Sequence, residues 1–140
     1  MPKKPASAAR PDPRRMLEQA FALHQQNRLG EAEPLYAAVL RQKPDDFDAL
    51  HLLGLLNMDC GRLPEALRLI GAALRANGRS ADALANYGLV LQQLGRYQEA
   101  LAALEQSHGI DPSAESAAGI AACRERLGHV EAAADEDAHG

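Results

Sequence analysis

The sequence predicts an all-α fold in which antiparallel helix pairs stack on one another. Ala and Leu, which favour helices, supply most of the apolar residues, whereas aromatic residues make up 4% of the chain. β-branched and aromatic residues are too sparse for a sheet. The same columns of residues also recur at a fixed step of 34 along the chain, which is typical of stacked helical units.

The repeat is clearest in a short string that occurs three times at this step: NRLGEA at 27–32, GRLPEA at 61–66 and GRYQEA at 95–100. Other positions keep the same step. They are the small residues Ala20, Gly54 and Gly88, the large apolar residues Met16, Leu50 and Leu84, a second apolar set of Tyr36, Ile70 and Leu104, and the terminators Pro44, Gly78 and Pro112. A weaker fourth unit follows at a step of 33, where Ser113 matches Ser80 and Leu127-Gly128 matches Leu94-Gly95.

Each unit is predicted to contain two helices. Asp12, Asp46, Ser80 and Ser113 are N-cap residue types at the start of the first helix of each unit. The small residue in the middle of the first helix lets the second helix approach closely. The predicted helices are 13–26, 31–42, 47–59, 64–76, 81–93, 97–109 and 114–126, with an eighth helix short or absent.

The charge distribution predicts a tail at each end of the array. The first residues are basic and rich in Pro, and the last are acidic, within a net charge of -4. We expect a disordered basic tail over 1–12, an array over 13–134 and an acidic tail over 135–140, with units at 13–46, 47–80, 81–113 and a partial unit at 114–134. No aromatic residues interleave with the basic ones, so we expect no nucleic-acid partner. No apolar stretch is long enough for a bilayer, so we expect no membrane partner.

The two cysteines, Cys60 and Cys123, fall on predicted helices and are interpreted as buried thiols rather than as a disulfide or metal pair. A reducing cytoplasm fits this interpretation. Arg outnumbers Lys and Ala is abundant, which indicates a bacterial genome rich in G and C.

These columns resemble the tetratricopeptide repeat family. The family pattern is a bulky residue, a Leu-Gly pair, a Tyr, an Ala with a large residue four positions on, and a closing Pro; here Leu84, Tyr87-Gly88, Leu91, Ala100, Leu104 and Pro112 match it. Asn57 and Gly78 depart from it, at places where the family prefers an aromatic residue and Pro. The resemblance covers about residues 13–134 and implies a right-handed superhelix with a concave inner face.

Catalytic and metal-binding patterns are missing from the sequence. Two helical His ligands need a spacing of three or four residues, and no two of the five His are that close. Neither a nucleophile motif nor a phosphate-binding glycine loop occurs. The repeated Glu31, Glu65 and Glu99 stand at helix starts, where a carboxylate favours the helix dipole. We therefore expect no enzyme activity, no cofactor and no metal.

The family resemblance implies a binding surface on the inner face of the first helices. Phe21, Leu55 and Leu89 are separated by the repeat step and form an apolar stripe there. We call these residues the predicted inner-face set: Leu17, Phe21, His24, Asp48, His51, Leu55, Met58, Asp82, Asn86, Leu89, Gln92 and Gln93. The competing interpretation is that a tail, the last helix or a second copy in a homodimer covers this stripe.

The predicted function is an adaptor or chaperone-like module that binds a partner polypeptide in its concave groove. Asp48, Asp59 and Asp82 make the rim acidic, so a partner with apolar anchors and flanking Lys or Arg fits better than an acidic one. The alternative is the substrate-recruiting arm of a larger enzyme similar to O-linked glycosyltransferases, because residues 48–56 resemble segments of such arms. Their inner-face Asn ladder has only Asn86 as a counterpart here.

Overall fold

The computed structural model describes the backbone of residues 11–139 and the side chains of residues 11–129. Its regular elements in that range are seven α-helices: α1 Pro13–Gln25, α2 Leu29–Gln42, α3 Phe47–Asp59, α4 Leu63–Ala76, α5 Ala81–Gln93, α6 Tyr97–Ile110 and α7 Ala114–His139. Successive helices pack antiparallel and the pairs stack into a right-handed superhelix, which confirms the predicted fold class. The predicted N-terminal tail lies outside the described residues, except for residues 11–12.

The first helix of each unit (α1, α3, α5 and α7) has a polar residue at its N-terminus, as predicted. The Asp12 carboxylate accepts a hydrogen bond from the Arg14 amide, and Asp46 and Ser80 accept bonds in the same way. The Ser113 hydroxyl accepts from the Ser116 amide at 3.0 Å. These bonds satisfy amide groups that have no partner within the helix.

The repeated six-residue string forms the turn inside each unit. Its first residue has a positive φ in all three copies: Asn27 at 61°, Gly61 at 77° and Gly95 at 78°. The next amide then donates to a carbonyl of the preceding helix, as Arg96 does to Leu91 at 2.9 Å. This is a helix C-terminal motif that needs a left-handed residue, which explains why Gly or Asn stands there.

The two helices of a unit approach most closely at the small residues predicted for this contact. A Cβ placed on Gly54 would lie 2.5 Å from Ile70 Cγ1, and one on Gly88 would lie 2.7 Å from Leu104 Cγ. Both are far below an ordinary contact distance. Ala66 and Ala100 are buried on the facing helices. The assigned repeat register is therefore confirmed.

The last helix departs from the prediction. We expected a helix over 114–126 followed by a turn at Leu127-Gly128, but α7 continues without a break to His139. Gly128 does not take the positive φ of Gly95. The segment after it is rich in Ala, the strongest helix former, so continuing the helix is favoured over making a turn. The predicted boundary between array and tail at 134–135 falls inside this helix.

The two cysteines differ in their surroundings. Cys123 is buried against Leu91 and Leu104, and burial raises the pKa of its thiol. Cys60 is exposed at the C-terminal end of α3, so its predicted burial was wrong. The reason is that Cys60 is the C-cap residue, directly after the last residue of α3 and at the start of the turn.

Replacing Gly88 with Leu should lower the free energy of unfolding by about 1–3 kcal/mol, because the new side chain has to displace Leu104 and the Ala100 carbonyl. Denaturant unfolding followed by circular dichroism measures this change. Gly30→Leu is the matched control, since a Cβ at Gly30 would meet nothing within 4 Å. Equal stability of the two variants would contradict the packing described above.

Candidate functional site

The predicted inner-face set lies on α1, α3 and α5, which stand side by side with α7. The structure divides this set among three places rather than gathering it in one cavity. Two of its residues lie at the N-terminal edge of the array, three form hydrogen bonds in the middle, and three line a cavity at the C-terminal end.

At the N-terminal edge, Leu17 and Asp48 line a cavity of about 410 Å³ that also contacts Val39 and Lys43 on the α2 side. Leu17 is half-buried and packs against the core. Asp48 is exposed, and its carboxylate shares this cavity with the ammonium group of Lys43 and the guanidinium group of Arg14. The site is therefore mixed in charge rather than purely acidic.

In the middle of the face, His24 on α1 connects the first two units. Its Nε2 lies 2.8 Å from Asp59 Oδ2 on α3, and its Nδ1 lies 3.2 Å from the Tyr36 hydroxyl. The Asp59 carboxylate can only accept, so Nε2 carries the hydrogen that is donated to it. In the neutral ring Nδ1 then accepts from the Tyr36 hydroxyl, whose pKa burial raises to about 12. Asp59 is thus engaged within the fold.

His51 on α3 connects the second and third units in the same way. The Asn86 side-chain amide on α5 donates to His51 Nε2 at 3.0 Å, and the Phe47 ring packs against the imidazole at 5.6 Å between centroids. Burial lowers the pKa of His51, although Asp82 and Asp48 oppose this shift. The hydrogen bond requires a neutral ring, because a protonated Nε2 cannot accept it.

The apolar stripe is less exposed than the sequence suggests. Phe21, Leu55 and Leu89 are all half-buried. Leu55 packs, together with Met58, against the core around Ile70. The stripe therefore contributes partial surfaces to the inner face, and its role in binding stays a prediction.

The C-terminal end of the inner face holds a cavity of about 700 Å³, which we call the C-terminal cavity. Three residues of the predicted set line it from α5: Leu89, Gln92 and Gln93. The remaining lining residues come from α6 and α7: Tyr97, Ala122, Glu125, Arg126 and His129. Leu89 and Ala122 supply apolar surface, and the Arg126 guanidinium lies 5.4 Å from the centre of the Tyr97 ring.

The α7 residues of this cavity were missed at the sequence level, although a signal for them exists. The fourth unit follows the third at a step of 33, so Ala122, Glu125 and Arg126 occupy the columns of Leu89, Gln92 and Gln93. Extending the inner face by this shorter step finds all three. Tyr97 lies on a second helix of a unit, and only the packing of α6 places it here.

One side-chain atom of a residue that lines this cavity has no hydrogen-bond partner among the described residues. Gln92 Oε1 is buried and accepts no hydrogen bond from any described residue. A buried acceptor without a donor costs about 1–3 kcal/mol. The cavity therefore offers an apolar surface and an aromatic ring with a cation against it. Gln92 Oε1 lies beneath this surface, and it becomes available to a ligand N–H group when the Gln92 side chain rotates.

Within residues 11–139, no helix combines the length and the apolar character that a membrane crossing needs. Among residues 11–129, whose side chains the structure describes, no three metal-ligating side chains gather at one point.

The free energy of unfolding should fall as the pH is lowered from 7.5 to 5.5. The lowered pKa of folded His51 means that the unfolded chain takes up a proton below about pH 6.5, where the folded chain does not. The contribution of neutral His51 to stability is therefore fully present above the ordinary pKa of His. It is lost as the pH falls towards the lowered pKa of His51 in the folded chain. Urea unfolding at both pH values measures the difference.

His51→Gln should reduce this pH dependence, whereas His129→Gln, a change at an exposed ring, should leave it as in the wild type. The same pH dependence in all three proteins would show that other groups cause it.

Comparison with known proteins identifies the repeats. A family model described as Tetratricopeptide repeat matches residues 17–69 and 51–115. No curated protein matches the sequence significantly.

Three solved structures illustrate the similarity of fold. A crystal structure of MamA superposes with a TM-score of 0.81 at 20% identity, covering 88% of this chain and 72% of MamA. The first TPR of Spaghetti (RPAP3), bound to the HSP90 peptide SRMEEVD, gives a TM-score of 0.80 at 15% identity. The match covers 86% of this chain and 98% of the RPAP3 chain. An O-GlcNAc transferase mutant from Thermobaculum terrenum gives 0.74 at 25% identity, covering 88% of this chain and 23% of the transferase. Since the family model spans most of the array, the chain belongs to the tetratricopeptide repeat family.

Proposed function

We propose that this chain binds a partner polypeptide along its inner face and that the C-terminal cavity is the main anchoring point. Tetratricopeptide domains are in general non-catalytic protein-binding modules. The observation that supports our assignment is the unpaired acceptor of Gln92 beside an apolar surface. A polypeptide supplies both matching features, namely main-chain N–H groups and apolar side chains.

The size of the cavity supports one anchoring side chain with its adjoining backbone. A volume of about 700 Å³ falls in the range of ordinary ligand sites, about 300–1,000 Å³. An apolar side chain would contact Leu89 and Ala122. A main-chain amide next to it would donate to Gln92 Oε1 once the Gln92 side chain has rotated towards the cavity, and burial of both groups would stabilise the complex.

The charges along the face support a defined direction for the polypeptide. Asp48 and Asp82 are exposed on α3 and α5, whereas Arg126 lies at the C-terminal cavity. We propose a partner in which Lys or Arg flanks the apolar anchor on the side of Asp82. A carboxyl group on the other side would pair with Arg126. Opposite charges of this kind mainly set orientation and association rate.

An adaptor or chaperone-like role is the form of this function that we favour. The second candidate is an arm that recruits substrates to a larger enzyme. It is supported by the similarity to the Thermobaculum terrenum O-GlcNAc transferase, in which the matched region makes up 23% of the transferase chain. In both candidates the inner face binds a polypeptide. They differ in whether a catalytic domain then acts on it.

Peptides selected from a displayed random library on the wild-type protein should bind Leu89→Ser at least about tenfold more weakly, since truncating a central anchor has such effects. Isothermal titration calorimetry measures the affinities. Leu74→Ser is the matched control, because Leu74 is also half-buried but lines a separate groove between α4, α5 and α6. Equal binding to both variants would exclude the C-terminal cavity as the anchoring point.

Gln92→Met should separate binding from folding. It removes the unpaired acceptor, so the free energy of unfolding should rise by about 1 kcal/mol, while affinity for the selected peptides falls. Thermal unfolding and calorimetry measure the two effects. Unchanged affinity would mean that the ligand makes no hydrogen bond to Gln92.

A further inference from the structure

Within residues 11–139, no second helix covers α7, the first helix of the fourth unit. In the third unit, α6 packs on the face of α5 that carries Leu84, Gly88 and Leu91. At the shorter step of 33, the matching face of α7 carries Ala117, Ile120, Ala121 and Arg124. These four residues, which we call the α7 outer face, are half-buried or exposed, whereas Leu84, Gly88 and Leu91 are buried.

A groove of about 520 Å³ runs between α6 and this face. On the α6 side it is lined by Glu105, His108 and Gly109. His108 stands at the same repeat position as Leu74, one unit later in the sequence. Leu74 lines the corresponding groove one unit earlier. One unit earlier α6 packs on the matching face of α5, and its Ala102 and Ala103 line the groove there together with Leu74. The groove beside α7 thus lies at the place that a second helix occupies in the unit before.

We propose that the α7 outer face binds the same face of a second copy of this chain, with the two α7 helices antiparallel. An antiparallel helix at this place repeats the arrangement that α6 has on α5. In a dimer with a twofold axis, the same surface of each copy meets at the axis, so that surface has to fit against itself. The α7 outer face meets this requirement.

The complementarity follows from the order of large and small residues. We place the twofold axis between Ile120 and Ala121. Ile120 of each copy then lies against Ala121 of the partner subunit. The aliphatic stem of Arg124 lies over Ala117 of the partner subunit, seven residues away in sequence. Each bulky side chain therefore faces an alanine, which permits the close interhelical distance of about 8–10 Å.

The charges on this face are compatible with the contact. Arg124 is the cationic member of the α7 outer face, and its guanidinium lies 3.4 Å from the Glu105 carboxylate on α6 of the same chain. This pairing leaves little net charge to repel a second copy. The two Arg124 side chains also lie at opposite ends of the contact, since the helices run antiparallel.

The area sets the expected strength. A single pair of helix faces buries less than a standard interface of about 1,600 Å², so we expect a dimer that dissociates in the micromolar range. Sedimentation velocity of the full chain over a range of concentrations should show monomer and dimer in reversible exchange. A wild-type protein that remains monomeric up to about 1 mM would overturn the proposal.

Ala121→Glu tests the location of the contact, because it places a carboxylate against Ile120 of the partner subunit. It should raise the dimer dissociation constant at least about tenfold. Ala118→Glu is the matched control on the same helix, exposed but outside the groove, and should dimerise like the wild type. Equal dimerisation of the two variants would exclude this face.

Ala121→Cys tests whether residue 121 lies next to the twofold axis. In a Cys60→Ser background, which removes the exposed native thiol, mild oxidation should join two chains through residue 121 but not through Ala118→Cys. The competing occupant of the groove is the chain's own segment 129–140, folded back. If a chain ending at residue 128 dimerises and the full chain does not, the groove belongs to that segment and the proposal is wrong.

Discussion

The close contact between the two helices of each unit is the constraint on which the rest of the structure depends. Gly54 and Gly88 leave no room for a Cβ, so Ile70 and Leu104 sit almost against the backbone of the facing helix. This distance fixes how the helices of a pair cross. Since the same contact recurs in successive units, the pairs stack with a constant rotation and the first helices come to lie side by side.

The inner face that results is held together by polar contacts between units as well as by apolar packing. His24 contacts Asp59, and His51 accepts a hydrogen bond from Asn86, each across one pair of neighbouring first helices. His24, His51 and Asn86 are partly buried, whereas Asp59 is exposed, so the contact between His51 and Asn86 restrains the angle between units more than an exposed ion pair would. The polar residues in the middle of the face thus contact one another, and the cavity that we propose as the anchoring point lies towards the C-terminal end.

The fourth unit explains why that end differs from the rest. α7 adds Ala122 and Arg126 to the inner face, where they form a wall of the C-terminal cavity. On its other side, α7 presents Ile120 and Ala121 to a groove that a second helix fills in the earlier units. One helix thus takes part in two surfaces at once. Because the surfaces are on opposite sides of α7, binding at one does not obstruct the other.

Much of this protein is determined by its sequence alone. The repeat period predicted the all-α class, the N-caps and the bounds of the first six helices to within a few residues, because the period reflects contacts that every unit must make in the same way. It also located the close packing at Gly54 and Gly88. These features depend on the helix propensity of the residues and on the small size of particular side chains. Both properties follow directly from the residue types.

Only the tertiary structure decided which surfaces are free. Asp59 has the residue type of an acidic rim, but its carboxylate contacts His24, which lies on a different helix of the preceding unit. Tyr97 reaches the C-terminal cavity only because α6 packs beside α7. Whether Leu127-Gly128 makes a turn depends on whether a following helix finds an apolar face to cover, and here α7 continues instead. Contacts of this kind, and the burial that follows from them, form between residues far apart in the chain. The repeat period of the sequence does not say how close such residues lie in space.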